Sequence, residues 1–314
     1  MIPSSVNSSA AARDSLLGYA EAVVAASLWG SSGIFAVNLF RLGVPPESLA
    51  FLRPLVGAMI LLIVLCLRDR GGLRIDRRGL LILMAGGGIS IGFFQIAYQL
   101  STDAVGVPST VAMLYLAPAV VALASGPLLN EWPDRTRIAL LVVTLTGVWL
   151  SVLGADSVTA TFGSSGLGWG VMAGVAYGGY TLFGRYAAPT YGSIPTVVYS
   201  TLGCVLFLAI TVPVTSGPIV WPGSTAAWLV LLTFSVLTVA VAHFLFFDAL
   251  ARIDASRASI ATAIEPVVAA SLATVLLGQG LSPLGWTGIA IVVTGVAGVG
   301  ATARKGRSGT VVAD

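Results

Sequence analysis

The sequence predicts an all-α integral membrane protein: ten transmembrane helices arranged as two five-helix repeats of inverted topology. Three observations carry that prediction: scarce charge, ten apolar spans, and a single shift that lays one half of the chain on the other. Of 314 residues, 56 % are hydrophobic and 9 % charged, with a mean hydropathy of +0.95. A soluble domain carries roughly 25 % charged residues, so this chain lacks the polar surface to face water. The net charge of +3 says less than where the cations lie, and nothing in it points to a nucleic-acid partner. Cys66 and Cys204 both fall inside apolar spans and are expected to be buried thiols, acting as small hydrophobes with no disulfide or metal role.

The spans run at about 18–40, 48–67, 79–101, 108–129, 137–154, 166–187, 194–213, 226–250, 257–277 and 283–301. A helix needs about 20 apolar residues to cross the hydrocarbon core, and these spans are near that length. With the N-terminus in the cytoplasm, the inner segments collect 14 of the 16 Lys and Arg, from Arg13 through Arg68–Arg78 to Arg304, Lys305 and Arg307. Only Arg41, in an outer loop, and Arg53, at the outer end of the second span, remain. The positive-inside rule therefore predicts a multi-pass protein of the plasma (inner) membrane with both termini cytoplasmic, which requires an even number of spans. Residues 1–17 lack the charged start and small-residue cleavage site of a signal peptide and read as a short disordered tail.

Sliding the chain by 148 residues brings the halves into register without a gap. Gly18, Gly30 and Phe35 fall on Gly166, Gly178 and Phe183; Pro118 and Val120 fall on Pro266 and Val268; Thr146-Gly147 falls on Thr294-Gly295. Five spans per half is odd, so the halves enter the membrane from opposite sides. The expected organisation is a cytoplasmic tail (1–17), a first repeat (18–154), an extracytoplasmic linker (155–165), a second repeat (166–301) and a cytoplasmic tail (302–314). Such symmetry suits alternating access to a midplane site.

Within the spans, each departure from apolar character carries a reading. The first span holds Gly18, Ala22, Ala26 and Gly30 at intervals of four, and the sixth holds Gly166, Gly170, Gly174 and Gly178. Such ladders let helix backbones pack closely. The third span clusters Phe94, Gln95, Tyr98 and Gln99, and the fourth carries Tyr115 just before Pro118. Tyr177 in the sixth is the counterpart of Trp29 in the first, and His243 in the eighth is the counterpart of Gln95. Asp248 is four residues before Arg252 and is expected to pair with it. The ninth span carries Glu265 in mid-membrane, followed by Pro266, which cannot bond back to the preceding turn. A mid-membrane carboxyl normally faces a protein interior or a wet cavity. Gln95, Tyr98, Tyr115, Tyr177, His243 and Glu265 are thus the candidate substrate-binding residues, with Pro118 and Pro266 as the candidate helix kinks. Each has a structural alternative: a bonded amide or imidazole, an interfacial ring, or a protonated carboxyl held by a neighbouring helix. Glu265 has no acidic twin, because its counterpart is Ala117.

No catalytic, zinc or phosphate-loop motif is present, and one histidine excludes a histidine-based metal cluster. No catalytic residue, metal or cofactor is therefore expected; the partners are a small-molecule substrate and the bilayer, with a proton as the candidate coupling ion. The repeat ends are Y-L-A-P-A-V-V-A-L (115–123) and L-T-G-V (145–148) in one half. In the other they are A-S-R-A-S-I-A-T-A-I-E-P-V-V-A (255–269), L-L-G-Q-G-L-S-P-L (276–284) and V-T-G-V (293–296). Over nearly the whole chain this pattern resembles the drug/metabolite transporter superfamily, in the branch with two EamA domains. The family often has an acidic residue after the fourth and ninth helices; Glu131 matches, and Gln279 stands in the second place. The resemblance implies a carrier with a central cavity, and in many members export of amino acids, other metabolites or drugs. A membrane-embedded transferase acting on a lipid headgroup and a lipid-linked sugar flippase are the alternative readings.

Overall fold

The computed structural model describes residues 4–68, 74–117, 119–121, 123–124, 135–155, 165–253, 261–262 and 264–308. Pro118 and most of the 155–165 linker lie outside these residues. Among the described residues the helices follow the ten spans in order. The first is Ser4–Gly30 with Ser32–Arg41, the second Pro46–Arg68, and the third Arg77–Ile82 continuing through a π-helical turn, Leu83–Gly87, into Gly88–Val105. The fourth begins as Val107–Leu114; the fifth is Arg135–Leu153, the sixth Ser165–Tyr191 and the seventh Ser193–Ser216. The eighth joins Thr225–Ser235 to Ala242–Arg252 through a π-helical stretch, Val236–Val241. The ninth runs Glu265–Leu272 and Ala273–Leu277, and the tenth is Pro283–Ser308. Among the described residues, five helical stretches are long and apolar enough to cross a membrane: Leu16–Arg41, Pro46–Ile63, Arg77–Val105, Ile194–Ser216 and Thr225–Phe246.

Two details correct the sequence reading. Residues 4–17, expected as a disordered tail, are helical from Ser4; the tenth helix likewise runs on to Ser308. Both extend a helix already nucleated by an apolar span, so each added residue avoids the nucleation cost that an isolated tail faces. Cys204 is buried as expected, but Cys66 is exposed. Lipid-facing and core-facing positions are equally apolar, so hydropathy does not separate them.

The packing obeys a two-fold relation. The first span packs on the eighth as the sixth packs on the third, and the first packs on the ninth as the sixth packs on the fourth. The seventh meets the third as the second meets the eighth, while the second and seventh, fourth and ninth, and fifth and tenth pair with their own counterparts. The same relation holds atom by atom. Asp76 caps the third span by accepting from the Gly79 amide at 3.1 Å, and Ser224 caps the eighth by accepting from the Ala227 amide at 3.1 Å. Both pairs are related by the 148-residue shift. Side-chain oxygens here satisfy amides that a helix start leaves unpaired.

Glycines mark where mirrored helices touch. A Cβ on Gly30 would lie 2.8 Å from the Glu265 carbonyl oxygen and 3.1 Å from Val268 Cβ. One on Gly178 would lie 3.1 Å from the Ala117 oxygen and 2.8 Å from Val120 Cβ, which are the same contacts in the other half. Between the fifth and tenth helices, a Cβ on Gly147 would stand 2.7 Å from Val292 N, and one on Gly295 would stand 3.2 Å from Thr144 N. Gly147→Ala should therefore push two backbones apart and destabilise the protein by about 1–3 kcal/mol. Gly168→Ala, where a Cβ meets nothing within 4 Å, should be neutral. Melting temperatures of the detergent-purified variants check both outcomes.

Candidate functional site

The ninth span is interrupted at the depth of its glutamate. Ile264 forms a turn, its amide bonding Ala261 O at 3.4 Å, and a new helix starts at Glu265 with Pro266 in its first turn. A proline fits a helix start because no amide is needed there. Pro266 therefore opens a helix after a break in the span. The fourth span breaks at the mirrored place, where Tyr115 and Leu116 form a turn and the Leu116 amide bonds Met113 O at 3.1 Å. Interrupted backbone at membrane depth is tolerated where it is buried in protein or lines a cavity.

Around this break the structure gathers most of the candidates. Glu265 is half-buried, and the phenols of Tyr98, Tyr115 and Tyr177 all lie within electrostatic reach of its carboxyl. These groups come from the third, fourth, sixth and ninth spans. Phe94 fills the gap between two of the rings, with centroids 5.9 Å from Tyr98 and 5.4 Å from Tyr177. Tyr98 is buried, Tyr115 half-buried and Tyr177 exposed. Phe94, Tyr98 and Tyr177 thus form a run of neighbouring rings within electrostatic reach of one carboxyl, and phenols of this kind can hold a small amphiphile.

Gln95 reaches this group through a residue that sequence reasoning placed at the edge. Arg53 is only 7 % exposed; its Nη1 donates to Gln95 Oε1 at 3.2 Å and its Nη2 to Thr238 Oγ1 at 3.2 Å. Its guanidinium lies 4.6 Å above the Phe234 ring centroid, and Ser235 Oγ donates to its carbonyl at 3.3 Å. Arg53 also lies within electrostatic reach of Glu265. No ion pair joins the two; the ion pairs among the described residues are those of Arg252 with Glu21 at 3.2 Å and Asp248 at 2.9 Å. The Asp248–Arg252 pair is the one expected from their spacing, and Glu21 of the first span extends it.

His243 stands apart from the tyrosines. Its ring meets the edge of Trp29 at 5.3 Å, and Trp29 in turn donates Nε1–H to the Thr238 carbonyl at 3.0 Å. Trp29 and Thr238 thus link the histidine to the Arg53 cluster. Arg53, Trp29 and Thr238 are the members that sequence reasoning missed or left peripheral. The one usable signal was a cation inside an apolar span. Among the described residues, no three His, Cys, Asp or Glu come together as metal ligands would. Of the ladder glycines, Gly18 packs against Arg252 Cβ, where a Cβ would stand 2.9 Å away. Gly170 and Gly174 pack against Met113 of the fourth span, and Gly166 is buried.

A multi-pass membrane protein built of two mirrored five-helix halves is the class that this fold defines. A family model for EamA-like transporters matches residues 16–153 and 164–301, and the chain belongs to that family, within the drug/metabolite transporter superfamily. It is a transporter, which removes the transferase reading. Its relatives include the uncharacterized transporter YwfM of Bacillus subtilis, 24 % identical and covering 90 % of this chain and 93 % of that one. The uncharacterized inner membrane transporter YicL of Salmonella typhimurium is 24 % identical over 92 % and 96 % of the two chains. The threonine/homoserine exporter RhtA of Escherichia coli is 26 % identical over 69 % and 70 %. A solved crystal structure 20 % identical in sequence, covering 94 % of this chain and 98 % of its own, has the same fold with a TM-score of 0.65.

Gln99, one turn beyond Gln95, is fully buried, and neither end of its amide has a hydrogen-bond partner among the described residues. An unsatisfied buried amide costs about 1–3 kcal/mol. Gln99→Leu is expected to raise the melting temperature in detergent, and an unchanged or lower value would mean the amide is satisfied in solution.

Proposed function

We propose that this protein is a secondary transporter that exports a small organic metabolite or drug, amino-acid-like or amphiphilic, by alternating access. The observation that carries the reading is the convergence of Tyr98, Tyr115, Tyr177 and Arg53 on Glu265 beside the break in the ninth span. Gln95, Tyr98, Tyr115, Tyr177, His243 and Glu265 bind the substrate. Pro118 and Pro266 set the interruptions of the fourth and ninth helices, and the glycines of the first and sixth spans provide the close contacts at which the halves move. A related chain named as a threonine/homoserine exporter supports small polar amino acids as the first compounds to try, and supports the outward direction. Both termini lie in the cytoplasm, as the distribution of cations supports. A lipid-linked sugar flippase would need several cations around its phosphates. Arg53 is the one cation that the sequence places more than two residues inside a span, so that reading is not favoured.

The place of Glu265 in the cluster supports proton coupling through its carboxyl, with Arg53, Tyr98, Tyr115 and Tyr177 the charged and titratable groups within electrostatic reach of it. In proteoliposomes loaded with labelled threonine or homoserine and given a pH gradient, the wild type should show pH-dependent flux. Glu265→Gln should flatten that dependence. Equal flux and an equal pH profile in wild type and variant would leave the carboxyl a structural role only.

A further inference from the structure

Arg53 poses a problem of charge. A buried guanidinium is normally held by a carboxylate, because an unpaired charge in a low-dielectric interior is costly. Among the described residues its side-chain hydrogen bonds go to neutral acceptors, the Gln95 amide and the Thr238 hydroxyl, both at 3.2 Å. Nε is buried and has no hydrogen-bond partner among them. The Phe234 ring face beneath it offsets part of the charge. Glu265 is within electrostatic reach, yet no ion pair forms.

The donor chemistry of arginine also settles the orientation of Gln95. A guanidinium has five N–H donors and no acceptor, so the amide atom facing it must be the oxygen. The Gln95 Nε2 donors are therefore turned away from Arg53. Arg53 and Gln95 thus present positive charge and N–H donors, and the Glu265 carboxyl lies within electrostatic reach of Arg53 and of Tyr98, Tyr115 and Tyr177.

We propose that Arg53 and Gln95 form a subsite for the carboxylate end of a dipolar substrate, while Glu265 receives its ammonium end. Gln95 donates to the carboxylate directly; Arg53 is a positioning residue that holds the amide oxygen and supplies the charge behind it. The proposal rests on the carrier reading above and assigns a polarity to that site. It differs from a role for Arg53 as a strut joining the second, third and eighth spans, which would act equally whatever the ligand.

The test uses the full chain purified in detergent, with ligand affinity read from thermal shift across a concentration series. Two probe series separate the two ends of the ligand. One is L-threonine, 1-amino-2-propanol and 3-hydroxybutyrate; the other is L-phenylalanine, 2-phenylethylamine and 3-phenylpropionate. In at least one series the wild type should bind the zwitterion more tightly than either half. Gln95→Glu keeps an acceptor for Arg53 but removes the Nε2 donors and neutralises the charge. It should weaken the zwitterion and the carboxylate about tenfold or more and leave the amine within about twofold, as expected when a site loses a designed hydrogen bond. Arg53→Gln should do the same, and Glu265→Gln should weaken the zwitterion and the amine instead. An equal loss for all three ligands in Arg53→Gln, or unchanged selectivity in Gln95→Glu, would overturn the subsite. A wild type that binds the amine as tightly as the zwitterion overturns the polarity and leaves the carrier reading standing. A wild type that neither binds nor transports any member of either series strikes the amino-acid-like reading itself, and the subsite with it.

Discussion

The hydrocarbon core offers no water, so a polar group carried into it is costly unless it finds a partner inside the protein. That constraint explains why so few polar side chains lie at depth here and why those that do are gathered. Arg53 draws on the third and eighth spans through Gln95 and Thr238, and Trp29 ties the first span to the same Thr238 through its carbonyl. The charge on one helix thus orders four. Glu265 lies within electrostatic reach of Arg53 and of a phenol from each of three spans.

Symmetry supplies the rest of the frame. Caps at Asp76 and Ser224, breaks at Leu116 and Ile264, and the close approaches at Gly30 and Gly178 all recur at one fixed separation in the chain. Each pair does the same physical work at opposite faces of the fold. A helix start needs an acceptor, a crossing needs a residue without a side chain, and a mid-span interruption needs a proline. The polar centre is where the halves part company: Arg53 is matched by Thr201, Gln95 by His243 and Glu265 by Ala117.

Much of the fold was legible in the sequence because hydropathy and the repeat are properties of the chain itself. The ten spans, the mirrored prolines and the pairing of Asp248 with Arg252 could be read from composition and spacing. Depth could be judged from distance to a span's end, but lateral neighbours could not. Arg53 is seven residues into its helix and so looked interfacial, yet its partner Thr238 lies 185 residues away. Cys66 failed for a related reason, since lipid and protein interior select the same side chains. The helical extension to Ser4 was missed because tail composition was judged without the helix that propagates into it.

The mismatch of Glu265 with Ala117 has a consequence for rates. If Glu265, Arg53 and Gln95 all had like counterparts, the two end states of the proposed carrier would be near mirror images, and the substrate would meet equivalent surroundings from either side. These mismatches would make those states unequal in energy. Thermodynamics still forbids net flow without a gradient, but half-saturation on the two faces no longer has to match. Rectification of this kind would require no extra domain, only unmatched side chains at the centre of a duplicated frame.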